Sequence, residues 1–173
     1  INNYKNIVGY HNESSRTYSS TWGNGRVGSR HVRSTLNSPD SWVMHHNDKK
    51  YNSYGRWMII NMGTKKDISG VVIQGRRVAV QYVKAIDVYT SMNINGPWVT
   101  QLSNKKALSG HNQTRNLYFS QPVNCQYVKL VARNWYGYPS LRADVLLYVE
   151  NNHIEDRKTE RKNVIKKLPQ QSV

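Results

Sequence analysis

The residues of this chain whose types and spacing could do chemistry are grouped for holding a ligand, not for reacting with one. Tyr18 and Trp22 stand four apart in Ser15–Arg30, SRTYSSTWGNGRVGSR. His45, His46 and Asp48 fall in His45–Gly55, HHNDKKYNSYG, and Arg76 and Arg77 open a basic loop after Gly75. Asn112 lies in Lys105–Arg115, in Gly110-His111-Asn112. An aromatic ring offers a flat apolar face to the C–H groups of a ligand, while His, Asp, Arg and Asn supply fixed donors and acceptors. A Trp22 that folded back would instead be a loop anchor. For catalysis the sequence has no glycine-rich phosphate loop and no nucleophile elbow, and its 10 Asp and Glu form no recognisable acid–base pair. His45, His46 and Asp48 have no further spaced His or carboxylate to complete a metal site, and Cys125, the only cysteine, permits neither an internal disulfide nor a Cys-based zinc site. The expectation is a chain without catalytic residues, metal or cofactor.

Charge narrows the partners. A net charge of +15 calls for an anionic partner or a solvated basic surface, and nucleic acid, anionic lipid and sulfated glycan all satisfy it. No nucleic-acid-binding motif is present, which argues against the first. No stretch approaches the roughly 20 apolar residues of a membrane-spanning helix. The first residues, INNYKNIVGY, have neither the basic nor the apolar region of a signal peptide, and they begin without Met, as a mature product or an excised domain would.

The elements that must position these residues are short strands. Trp57–Ile60 and Ile68–Ile73 are runs of strand length, rich in Ile, Val and Trp, on either side of the polar connector Asn61–Asp67 with its Gly63. They read as strand, turn, strand. Residues 1–14 form an opening strand around Ile7, Val8 and Tyr10, and Tyr82–Thr90 alternates with one wetter face. Asn95-Gly96-Pro97 is a turn after which Trp98-Val99 resumes the core. Leu117–Phe119, Gln126–Ala132 and Leu141–Val149 are further strands, with the aromatic turn Trp135–Ser140 before the last. Ser15–Arg30 is too polar for a core strand and reads as a long surface loop, which is more often functional than accidental. Many short strands without an amphipathic helix before residue 150 define an all-β sandwich or barrel. Residues 1–150 make one domain, and the charged 151–173 read as a basic tail or linker.

The ordered set Leu36-Asn37, Ser41-Trp42, Arg56-Trp57, INMG, ISGVVIQGR, VKAIDVYTS, NGPW, SGHN, QYVKLVARNW and SLRADVLLYVE resembles a discoidin domain, the coagulation-factor-5/8 type C family. It runs from about Ile7 to Glu150, and INMG with ISGVVIQGR and the late NW with SLRADV are its most specific pieces. The resemblance implies an eight-stranded jelly-roll β-sandwich that binds through loops at one end. Those loops would be Ser15–Arg30, His45–Gly55, Arg76–Gln81 and Lys105–Arg115, with Tyr18 and Trp22 at positions that form a cleft in one branch of the family.

The function this implies is that of a non-enzymatic recognition or adhesion module. It would be lectin-like towards a glycan, sulfated ones included, or would meet anionic phospholipid head groups at a membrane surface. The alternative is a scaffold domain that engages an acidic protein partner. Tyr18, Trp22, Arg26, His45, Asp48, Arg76, Arg77 and Asn112 are the expected ligand-binding residues. Arg16, Arg26, Arg30, Lys49, Lys50, Arg76 and Arg77 would give an anionic leaflet about 1 kcal/mol each. The chain departs from the family in lacking the disulfide that joins the domain's ends. The family favours an extracellular or cell-surface setting, and the missing disulfide leaves a cytoplasmic one open. The segment before the first core Trp, SRHVRSTLNSPDSW, carries only Asp40 where bacterial carbohydrate-binding relatives have an acidic calcium loop, so no tight calcium site is expected.

Overall fold

A computed structural model describes residues 3–23, 25–45 and 56–151. Eight strands form one curled antiparallel sheet: β1 (Tyr4–Val8), β2 (Arg16–Tyr18), β3 (Trp42–Val43), β4 (Trp57–Gln74), β5 (Tyr82–Ser91), β6 (Val99–Lys106), β7 (Thr114–Tyr136) and β8 (Ser140–Glu150). The main order is β1-β8-β4-β7-β5-β6, with β2 on β4 and β3 on β8. A single 3-10 turn, Glu13–Ser15, is the only helical element among the described residues. This is the eight-stranded, discoidin-like jelly-roll sandwich that the resemblance implied.

Two long strands make the curl. The first half of β4 pairs β2 and the second half of β7, whereas its second half pairs β8 and the first half of β7. The expected turn at Asn61–Asp67 is therefore a register shift inside one strand, with Gly63 at φ +76. The polar run stays extended because β7 opposite it is polar too, with Lys66 and Asp67 facing Cys125 and Asn124. For the same reason Leu117–Phe119 and Gln126–Ala132 belong to one strand. Between the layers lie Trp42, Met58, Ile60, Ile68, Val71, Ile73, Ile86, Val88, Leu117, Leu130, Leu141 and Val145, all buried.

Other local expectations change, and Tyr10, expected on the opening strand, lies beyond β1 and is 70% exposed. Val99 is 57% exposed, because β6 is an edge strand and its apolar residue has no layer to face. On β5, Asp87 is buried although it lies on the wetter face, where Arg133 and the Asn104 amide hold it. Inside the supposed surface loop, Arg16–Tyr18 is a strand whose Arg16 is 5% exposed.

The ends close without a covalent link. β1 pairs β8 from Tyr4↔Glu150 to Val8↔Leu146, the Tyr4 hydroxyl donates to Glu150 at 2.6 Å, and Tyr4 stacks on Tyr148. Deeper in, Asp144 accepts from Arg16 Nη2 at 2.7 Å and from the His11 amide at 2.8 Å, and His11 Nδ1 lies 2.7 Å from its other oxygen. Arg16 also donates to the carbonyls of Ser34, Ala143 and His11. Buried charge demands this degree of pairing.

Candidate functional site

Among the described residues, Trp22 and Arg76 meet beside the β7–β8 turn. Trp22 is fixed through its backbone, its N–H donating to the Val43 carbonyl on β3 at 2.7 Å. Its ring meets Tyr138 edge-on, centroids 5.3 Å apart and planes at 81°, and the residue stays 38% exposed. Tyr138 comes from the β7–β8 turn, where Gly137 at φ +68 lets the chain reverse. Trp22 is thus anchored and still presents surface.

Beside this aromatic corner lies Arg76. Its Nε donates to Asp40 Oδ1 at 2.8 Å and its Nη1 to Gln81 Oε1 at 2.8 Å, and the Arg76 amide donates to the Gln81 carbonyl at 3.0 Å. His31 stands 3.6 Å from Asp40. Burial, the larger effect, pulls the His31 imidazole below its ordinary pKa against the opposing pull of Asp40, so it is neutral at neutral pH. Trp22, His31, Val43, Arg76, Gln81 and Tyr138 line a cleft of about 110 Å³. That is small against the usual ~300–1,000 Å³ of a ligand pocket, and suits one ring or head group held with much of it in water. Arg76 and Asp40 neutralise each other, so what the cleft offers is a ring face and oriented polar groups more than net charge.

The expected residues divide accordingly. Trp22 and Arg76 come together in the cleft. Tyr18 does not line it: its ring stacks on Trp42 at 5.7 Å and its hydroxyl bonds with Ser34 at 2.7 Å and Glu13 at 3.0 Å. Burial above all pushes the Tyr18 phenol pKa up and keeps it neutral. Trp42 in turn donates from Nε1 to the Ser20 carbonyl at 2.7 Å, so Tyr18 supports the segment that carries Trp22. His45 is half-buried, its amide donating to the Ser20 hydroxyl at 3.3 Å. Arg26 lines a separate hollow of about 290 Å³ with Gly23, Gly25, Ser29 and Arg30. Arg77 and Asn112 are exposed on neighbouring loops, and Asp48 lies outside the described residues, as do Lys49 and Lys50. Of the cations proposed for a membrane, Arg16 is spent inside the fold and Arg76 on Asp40, which leaves Arg26, Arg30 and Arg77 at the surface.

His31, Gln81 and Tyr138 were missed from sequence. Each is a single polar or aromatic residue in a separate segment, with no spacing to link it to Trp22. The one available signal was Tyr138 within WYGYPS, an aromatic residue in the turn between two strands.

The fold is an all-β sandwich with an aromatic-and-arginine cleft beside its β7–β8 turn. The chain belongs to the F5/8 type C domain family, which it matches over residues 12–145. It is 25% identical to lactadherin of Rattus norvegicus over 101 residues, covering 55% of this chain and 24% of lactadherin. The chain thus spans about a quarter of the length of that relative. Among solved structures it resembles discoidin II of Dictyostelium discoideum, with TM-score 0.54 and 17% identity over 84% of this chain and 54% of that one. It also resembles the family 32 carbohydrate-binding module of Clostridium perfringens NanJ, solved with galactose, with TM-score 0.58 and 15% identity over 84% and 99%. The family and these neighbours are binding modules, not catalytic domains. No described helix is long and apolar enough to cross a membrane.

Proposed function

We propose that residues 1–150 form a non-enzymatic recognition module that holds a saccharide of a cell-surface glycan in the Trp22 cleft. The observation that carries this reading is the Trp22–Tyr138 corner set beside an Arg76 already oriented by Asp40 and Gln81. A sugar ring has an apolar C–H face and a rim of hydroxyls. The Trp22 face takes the first, and the Arg76 and Gln81 side chains with neutral His31 take the second. Because the polar groups are held before binding, little ordering entropy is lost when the ligand arrives. The galactose complex of the NanJ module supports a sugar on this fold. In this reading the domain acts outside the cell, and Tyr18 is a positioning residue.

A second reading, an anionic phospholipid surface, is favoured by exposed apolar tips next to cations. Val27, Val78 and Val80 are 59%, 64% and 57% exposed, beside Arg26 and Arg77. Vesicles containing phosphatidylserine, set against immobilised glycans at low and high salt, separate the two. Glycan binding that survives high salt and is lost in Trp22→Ala supports the cleft. Vesicle binding that falls in Val78→Ser/Val80→Ser and is indifferent to free sugar supports the membrane. Failure of both would leave the acidic-protein scaffold.

A further inference from the structure

Asn12-Glu13-Ser14 and Asn112-Gln113-Thr114 both read Asn-x-Ser/Thr with no proline between, the acceptor pattern for N-linked glycosylation. Such an acceptor needs an asparagine whose Nδ2 faces water and is not committed to the fold. Both asparagines are exposed, as are Ser14 and Thr114. Asn12 stands at the N-cap of the Glu13–Ser15 turn, where an asparagine oxygen is strongly preferred as a cap, yet its side chain makes no capping bond. The side chain of Asn112 likewise has no hydrogen bond among the described residues. Asn37, Asn61, Asn93 and Asn134 differ: their Oδ1 atoms accept from Gln74 and from the amides of Gly63, Asn95 and Trp135.

The Asn112 turn is fastened to the strand end that leads into the cleft. The Ser109 amide donates to Gln113 Oε1 at 2.7 Å and closes the turn. Thr114 Oγ1 accepts from Gln74 Nε2, on β4, at 2.9 Å. Gly75 lies so close to the same turn that a Cβ there would meet the His111 carbonyl oxygen at 2.6 Å. The next residue is Arg76, which lines the cleft. Asn112 therefore projects from a turn held beside the cleft, with its own amide left over.

We propose that Asn112 is an N-glycosylation acceptor and that its glycan screens the Trp22 cleft. This rests on the setting outside the cell proposed above, which takes the chain past the transferring enzyme. The donor is an oligosaccharide joined to a lipid pyrophosphate. Asn112 Nδ2 bonds to the anomeric carbon, the bond from that carbon to the pyrophosphate oxygen breaks, and the lipid pyrophosphate leaves with the electron pair while Nδ2 gives up one proton. Asn112 then carries a sugar instead of contacting one. A bulky, mobile glycan beside Arg76 limits access to the cleft, as a clash built against large partners does.

The test passes the whole 173-residue chain through the secretory pathway of a eukaryotic cell behind an added signal peptide, with Asn112→Gln and Asn12→Gln beside it. Both changes fall at exposed side chains, so the variants should fold as the parent does. Intact mass before and after peptide N-glycosidase should show two glycans on the parent and one on each variant, and peptide mapping should find Asn112 converted to Asp by the glycosidase. Hydroxyl-radical labelling of Trp22, which is 38% exposed, should be lower in the glycosylated parent, restored in Asn112→Gln and still low in Asn12→Gln. A secreted chain with Asn112 bare, whether or not Asn12 is modified, would overturn the proposal. So would Trp22 labelling that is the same with and without the Asn112 glycan. Neither readout needs a ligand, so both are independent of whether the cleft binds a sugar.

Discussion

Replacing Asp144 with Asn isolates what closes this domain in the absence of a terminal disulfide. Asp144 and Arg16 have side-chain exposures of 1% and 0%, so neither charge can turn to water when its partner is lost. Asp144 Oδ2 accepts from Arg16 at 2.7 Å and from the His11 amide at 2.8 Å, and Oδ1 accepts from the Val145 amide at 2.8 Å. The Asp144→Asn side chain would keep the shape, cancel the charge and turn an NH2 towards one of these donors. Breaking a buried pair in this way costs about 3–5 kcal/mol. For a chain of this length each kcal/mol is worth roughly 2–4 °C, so the melting temperature should fall by about 6–20 °C. Urea unfolding followed by tryptophan fluorescence, alongside calorimetry, measures both quantities. The paired variant Arg16→Met/Asp144→Leu removes both charges and should recover at least half of the loss, since no buried ion is then left alone. A loss under about 1 kcal/mol in Asp144→Asn, or a paired variant worse than the single one, would refute the reasoning.

Two further predictions concern the rest of the fold. A Cβ at Gly70 would meet the Leu117 carbonyl oxygen at 2.1 Å, so Gly70→Ala should cost about 3 kcal/mol or more, whereas at Gly63, with open space but φ +76, the same change should cost about 1 kcal/mol; equal urea midpoints for the two would contradict this. Burial pushes the Cys125 thiol up to about 12, so a thiol reagent at pH 8 should label it only on unfolding, and stability should decline as pH rises from about 9, where the unfolded thiol ionises, towards about 12. Rapid labelling of the folded chain at pH 8 would show that the thiol is not enclosed.

Much of the fold was legible because strands leave a local trace. The runs around Trp57–Ile60, Ile68–Ile73 and Tyr82–Thr90 all lie in strands, and their buried positions form the core. What was not legible depended on partners far along the chain. Whether Asn61–Asp67 turned or ran on was decided by β7, some sixty residues away, and Val99 was exposed because nothing pairs with the far side of β6. Arg16 looked like a loop cation until Asp144, which neutralises it, was in view. The cleft was half legible for the same reason. Trp22 and Arg76 stand in conspicuous polar and basic loops, but His31, Gln81 and Tyr138 join them only through the packing of separate segments, and Tyr18 was drawn inward by Trp42, Glu13 and Ser34.

The central claim is that the Trp22 cleft holds a sugar ring by shape and oriented hydrogen bonds, not by net charge. Calorimetric titration of the domain with glycans from an array, at high salt and with free monosaccharide as competitor, tests it most directly. The account predicts binding that persists at high salt, is displaced by one monosaccharide and not by its epimers, and weakens at least about tenfold in Trp22→Ala. Binding that disappears with salt, ignores every monosaccharide and is unchanged in Trp22→Ala would contradict it.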